Sequence, residues 1–207
     1  AVSLTYCLMS ISRDLRWLGV FISIPVLLDL GLALTVLYTD SAQLVPALNS
    51  YWLAIHVSAA VVCLGAFTVG AALSGLYLVA QTAEDRLVVG KEPGRSAAIA
   101  QRIPSADRLD LMSYRIHAFM FPIWTFAVIA GAIWAEAAWG RYWGWDPKET
   151  WAFITWVIYA AYLHARATAG WRGKKAAYVA IAGYAAILFN YFIVNIYVQG
   201  LHSYSGL

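Results

Sequence analysis

Apolar residues in this chain do not alternate with polar ones; they run in blocks. Five blocks, at roughly 17–38, 52–80, 111–135, 151–170 and 176–198, are long enough to cross a bilayer, which takes ~20 helical residues. The period-two alternation of a β-barrel is missing, and no internal repeat is visible. The pattern predicts an all-α, polytopic membrane helix bundle with about five transmembrane helices, a single membrane domain over residues 1–207. The first eleven residues, AVSLTYCLMSI, are apolar but too short to span, and they lack the basic n-region of a signal peptide. They are expected to be the tail of another span, with the start of the chain cropped.

Charge in the connections sets the orientation. Arg13 and Arg16 precede the first block, Arg86, Lys91, Arg95, Arg102 and Arg108 lie in 81–110, and Arg166, Arg172, Lys174 and Lys175 lie in 164–175. The positive-inside rule places all three groups in the cytoplasm, and they alternate correctly with five spans. Segments 39–51, 136–150 and 199–207 then face outward. Only Arg141 and Lys148, of the fourteen Lys and Arg residues, fall outside. The inner connection 81–110 reads as a short loop plus an amphipathic helix, with Pro104 and SADRLDLMSYR leading into the third span.

Composition agrees. The chain is 62% hydrophobic and 12% charged, against about 25% charged residues in soluble domains, so it cannot cover a water-exposed surface. A net charge of +3 without a basic run gives no nucleic-acid signal. Cys7 and Cys63 lie apart in apolar surroundings with no C-x-x-C, which makes packing their expected role.

The stretch WAEAAWGRYWGWDPKETW, residues 134–151, holds five tryptophans, more than interfacial anchoring needs. Gly140 and Gly144 let the backbone approach something flat. Trp139, Tyr142, Trp143 and Trp145 offer faces that stack on other π-systems, and Arg141 and Lys148 can meet anionic groups at the rim. A planar ligand with carboxylates fits, haem above all; a lipid headgroup or a quinone would use the same residues. Asp146-Pro147-Lys148-Glu149 carries the pattern of a helix start, with a capping carboxylate, proline at the first position and glutamate three residues after the cap.

The four histidines narrow the choice. His56 lies about five residues into the second span, ~8 Å deep from the outer end by helical rise. His202 follows the fifth span, in GLHSYSGL. Both therefore share the outer face with the tryptophan-rich loop, and histidine is a common haem-iron ligand. His164 lies ~27 Å along its helix from Asp146, near the inner face, and His117 sits at a similar depth. These two can pair with each other, or either can be a hydrogen-bonded core residue.

WGRYWGWDPKETW resembles the WWD signature of the haem-handling proteins of c-type cytochrome assembly. With TWVIYAAYLHARATAGWRGKKAA and LFNYFIVNIYVQGLHSYSGL, the text from about residue 50 onward is similar to the CcsA (ResC) family, more than to the related CcmC and CcmF. The resemblance implies that His56 and His202 are iron ligands flanking an external WWD loop, here 136–150, and that His164 is a further histidine inside the membrane. It implies haem b as a transported and attached substrate. It also implies a CcsB (ResB)-type membrane partner and apocytochrome c as acceptor, in a haem-ligating complex rather than an enzyme acting alone. No catalytic residue is expected, since thiols add to haem vinyl groups and the protein need only position the reactants. The haem-site candidates are His56, His202, Trp139, Trp143, Trp145, Tyr142, Arg141, Asp146 and His164, with the three histidines as metal ligands. His117 matches no family motif. Family members usually have more N-terminal spans, which fits a cropped start. A bacterial plasma membrane is favoured over a thylakoid.

Two other classes compete. A b-type electron-transfer cytochrome would pair histidines on facing spans, as the matching depth of His117 and His164 allows, but would leave the tryptophan-rich loop without a task. A cofactor-free transporter of lipids or small molecules would leave the histidines unexplained.

Overall fold

The computed structural model describes residues 2–12, 14–35, 38, 45–90 and 95–203. Among the described residues every regular element is helical: α1 (Val2–Ser12), α2 (Gly19–Thr35), α3 (Tyr51–Val88), α4 (Arg95–Ala100), α5 (Ala106–Trp139), α6 (Pro147–Thr168), α7 (Lys174–Leu188) and α8 (Asn195–Tyr197). Short 3-10 turns precede α2 and α3, and a π-helical turn, Phe189–Val194, joins α7 to α8. The chain is a polytopic helical membrane protein. Among the described residues, four helical stretches are long and apolar enough to cross a membrane: Arg16–Thr35, Tyr51–Val88, Ala106–Trp139 and Lys174–Tyr197.

The expected fourth span, 151–170, differs. It forms α6, a 22-residue helix, but it falls short of the apolarity of the other four because Lys148, Glu149, His164 and Arg166 interrupt it. Its length, ~33 Å by helical rise, and its packing against α5 and α7 still place it in the bundle. Segment 81–110 also departs from expectation. Residues 81–88 continue α3 as helix rather than forming a loop, α4 follows, and Ala106 opens α5. Lys91 and Arg13 lie outside the described residues, as do residues 39–44 of segment 39–51 and the last four residues of 199–207.

Helices α3 and α5 form the most extensive pair; α6 packs on α5 and α7, and α7 returns to α3. Helix α1 packs on α3, while α2 leaves Leu27, Leu28, Leu30 and Leu34 exposed. One core cluster joins Leu18 and Ile22 to Leu73, Leu76 and Leu109; a second joins Phe67, Trp124, Tyr159 and Ile187. Cys63 is buried in the second cluster, and Cys7 is exposed.

The α3–α5 contact has an internal regularity. His56 of α3 lies where a Cβ on Gly131 of α5 would come within 2.8 Å of its ring, and His117 of α5 lies 2.5 Å from the position of a Cβ on Gly70 of α3. The spacing from His56 to Gly70 equals that from His117 to Gly131, so the antiparallel pair repeats one crossing twice, toward its two ends. The crossings differ in content. His117 is fully buried, its Nδ1–H donating to the Ser113 carbonyl at 2.8 Å, and its ring stacks on Phe67 and lies against Tyr159 and Tyr162. His56 opens onto a cavity.

The far end is closed by charge. Arg166 of α6 grips Asp110 of α5 through both guanidinium nitrogens, at 2.8 and 2.9 Å, and lies over the Tyr114 ring. The Gly173 amide donates to the same carboxylate. Lys174 reaches Asp85 at 2.7 Å, and Glu84 accepts from the Ala106 amide, a donor that α5 itself leaves unpaired. This end therefore gathers the C-termini of α3 and α6 with the N-termini of α5 and α7.

Alanine normally stabilises a helix over glycine, by up to about 1 kcal/mol. Gly70→Ala is expected to reverse that sign and destabilise the fold by about 1–3 kcal/mol, because the new methyl group collides with a packed ring. Gly75→Ala, with nothing within 4 Å, is expected to be neutral or stabilising. Thermal unfolding of the two variants in detergent micelles checks the contrast.

Candidate functional site

The non-helical part of the tryptophan-rich stretch is shorter than expected: α5 runs through Trp139 and α6 begins at Pro147, leaving 140–146 as loop rather than 136–150. Gly140 closes α5 with φ +71°, its amide donating to the Glu136 carbonyl, a left-handed cap that glycine adopts at no steric cost. Asp146 opens α6 with the full capping box: its carboxylate accepts from the Lys148 amide, and the Glu149 carboxylate accepts from the Asp146 amide.

Glu149 also accepts from the Gly144 amide at 2.8 Å, and Arg141 lies 3.5 Å from its other oxygen. One buried carboxylate thus ties down two loop amides and a guanidinium. That tie holds Trp145 at φ +57°, the one non-glycine residue in the left-handed region among the described residues. Such a backbone costs on the order of 1–3 kcal/mol unless its surroundings over-determine it.

Beside the loop lies a cavity of about 510 Å³, within the range of ligand sites. Its walls are the first turns of α3, the last turns of α5, the start of α6 and the π turn after α7. His56, His202, Trp124, Trp134, Tyr142 and Trp143 line it, with Lys148, Glu149, Asn190 and Asn195 as further polar groups. The Trp124 Nε1–H and the Asn190 Oδ1 are buried without a hydrogen-bond partner. Two orphaned polar groups lining one cavity, from α5 and from the π turn, match a site built for a ligand with polar edges.

The two lining histidines are held alike. His56 donates its Nδ1–H to the Ala127 carbonyl of α5 at 2.8 Å. His202 donates its Nδ1–H to the Asp146 carboxylate at 2.8 Å. In both rings the Nδ1 bond sets the tautomer and leaves Nε2 with the lone pair a metal takes. Trp134 stands between them, stacked on His56 at 6.2 Å and edge-on to His202 at 5.4 Å, with Trp139 also against His202. Trp134 is fixed by its own Nε1–H bond to the Ala47 carbonyl.

Burial of His202 favours a neutral imidazole. Burial pushes its pKa below the ordinary 6.5, and the Asp146 contact only partly offsets that. Burial pushes the Asp146 carboxyl up, but donation from Leu201, His202 and Lys148 outweighs it and holds the group below the usual carboxylate range. Burial lowers the Lys148 ammonium, opposed by Asp146; this lysine is the one cation on the cavity wall among the described residues.

Of the expected site residues, the structure brings His56, His202, Tyr142 and Trp143 to the cavity. Trp139 and Asp146 support His202 from behind. Trp145 is 66% exposed and leans on Trp143 and Phe153. Arg141 is not at the cavity rim as expected; it is drawn onto Glu149 and lies across Gly144, where any side chain would collide with it. His164 is exposed on α6, on a face that Tyr162 turns away from, since two residues along a helix rotate by about 200°. His117 packs against Tyr162, so of the two alternatives for His117 and His164 the pairing is not formed, and His117 is a hydrogen-bonded core residue. The sequence pattern does not single out Trp134, Asn190, Asn195 and Glu149 as site residues; the two asparagines, polar groups inside an apolar span, carry the one signal that could.

Fold and site together define a membrane-embedded helix bundle with a bis-histidine, tryptophan-walled cavity at one end. The sequence matches the family described as "Cytochrome C assembly protein" over residues 1–202, and the chain belongs to that family. Similar relatives carry the name "Cytochrome c biogenesis protein CcsA". The one from Picosynechococcus is 38% identical over 91% of this chain and 71% of its own length. The one from Synechococcus elongatus is 40% identical over 80% and 61%, and the one from Guillardia theta is 43% identical over 81% and 58%. This chain thus spans 58–71% of the length of these relatives. The match reaches the N-terminal helices, beyond the resemblance read from residue 50 onward.

Glu149→Ala is expected to destabilise the protein by about 1–3 kcal/mol, the range for leaving buried donors unpaired. Glu149→Gln, which keeps one accepting oxygen, is expected to cost less. Melting temperatures in one detergent, with loop cleavage by protease as a second readout, check the order.

Proposed function

We propose that this chain acts in cytochrome c biogenesis by holding haem b, as substrate, at the outer end of the bundle for attachment to apocytochrome c. The observation that carries the reading is the matched pair His56 and His202. They come from segments far apart in sequence, each with Nδ1 engaged, each lining one cavity walled by Trp134 and Trp143. The donor set fits haem: two neutral imidazoles for iron, aromatic faces for the ring, and Lys148 as counter-charge for a carboxylate. Bound there, haem would supply the vinyl groups that accept thiols. The chain's own part is to orient and ligate, and the apolar cavity walls limit water around the site.

His164 supports a partner. An imidazole exposed on a helix within the bundle is costly against lipid, and a second membrane protein of the CcsB (ResB) type would cover it. On this reading His164 meets haem on its way outward from the cytoplasm. The cyanobacterial relatives support a thylakoid location alongside the plasma membrane. A b-type cytochrome reading gains nothing from the geometry, since His117 and His164 do not face each other.

His56→Ala and His202→Ala are each expected to lower the Soret absorbance per mole of purified protein, with added imidazole restoring part of it. Unchanged haem content and spectrum in both variants would overturn the reading. His164→Ala is expected to empty the outer site in cells, while the purified variant still takes up haem supplied in detergent. Orientation is checked in a Cys7→Ser background. Cysteine at Ala137 should react with an impermeant reagent from outside, and cysteine at Lys175 only after the membrane is opened. Equal labelling of both in intact cells would refute the topology.

A further inference from the structure

The Asp146 carboxylate carries more contacts than a helix cap needs. Besides the Lys148 amide, it accepts from the Leu201 amide at 2.7 Å and from His202 Nδ1 at 2.8 Å. Leu201 and His202 belong to the segment after the last helix, which no regular structure holds in place. Gly200 stands just before them, and a Cβ there would lie 2.6 Å from Asp146 Oδ1. The segment can approach the carboxylate only because residue 200 has no side chain. The cap, the tail and the imidazole thus converge on one buried group.

We propose that Asp146 is a positioning residue for haem ligation: its carboxylate docks the 200–202 segment and fixes the tautomer and ring orientation of His202, so that Nε2 is the nitrogen presented to iron. This rests on the proposed function. The two ligands would then differ in strength. His56 is backed by a neutral carbonyl and His202 by a carboxylate, and a carboxylate partner makes an imidazole the more basic ligand. The His202 side would therefore favour ferric iron, with Gly200 as the steric condition for the whole arrangement.

The test uses the full chain purified in detergent with haem bound, or reloaded with iron protoporphyrin. Asp146→Asn preserves size and one accepting oxygen, so α6 keeps a competent cap. It is expected to retain the fold and to shift the reduction potential of the bound haem to a more positive value, because the backing charge is gone. Asp146→Ala is expected to lose haem to the extent that His202→Ala does, with free imidazole restoring it. Gly200→Ala should reproduce that loss with Asp146 intact. If Asp146→Asn and Gly200→Ala lower only yield or melting temperature, and the folded fraction keeps wild-type haem stoichiometry, spectrum and potential, the positioning role is overturned and Asp146 is a cap alone. If His202→Ala itself leaves haem binding unchanged, the haem-site reading fails first and takes this inference with it.

Discussion

The Asp146 carboxylate joins the start of α6 to the segment after α8, two parts of the chain with no local reason to meet. It starts α6, it receives the backbone of the segment after α8, and it holds the ring of His202. A carboxylate at 7% exposure is tolerable only with its oxygens paired, and here the donors come from the first turn of α6 and from residues 201–202. Remove those partners and a buried charge is left uncompensated. The loop geometry, the tail position and the histidine orientation therefore stand or fall together.

Glu149 does the corresponding work on the other side of the cap, binding two loop amides and Arg141. The two acids explain why a seven-residue loop dense in aromatic groups holds one conformation, including the left-handed Trp145. They also redistribute roles within the stretch. Tyr142 and Trp143 face the cavity, Trp139 buttresses His202, and Trp145 faces outward. Aromatic residues of similar spacing thus end in three different environments.

Two kinds of histidine environment occur in one helix pair. At His56 the crossing opens on a cavity whose walls carry unpaired polar groups; at His117 the crossing is sealed by Phe67, Tyr159 and Tyr162. The chemistry of the side chain is the same, and only the neighbours distinguish a candidate ligand from a core residue. The resemblance separates the two by motif alone; packing gives the physical difference.

Much was legible in the sequence because it depends on local or additive quantities. Block-wise hydrophobicity determined an all-helical membrane bundle, since backbone groups in lipid must be satisfied within each segment. The D-P-K-E pattern determined where α6 begins, since a cap is decided by four consecutive residues. Alternating charge placed His56, His202 and the tryptophan-rich loop at one end. Tertiary structure decided the rest. That Trp134 stands between the histidines, and that Gly131 and Gly200 vacate space for His56 and Asp146, depend on contacts between residues remote in the chain. Such contacts leave no periodicity in the sequence, because a glycine that makes room for a distant ring is written no differently from one that merely turns the chain.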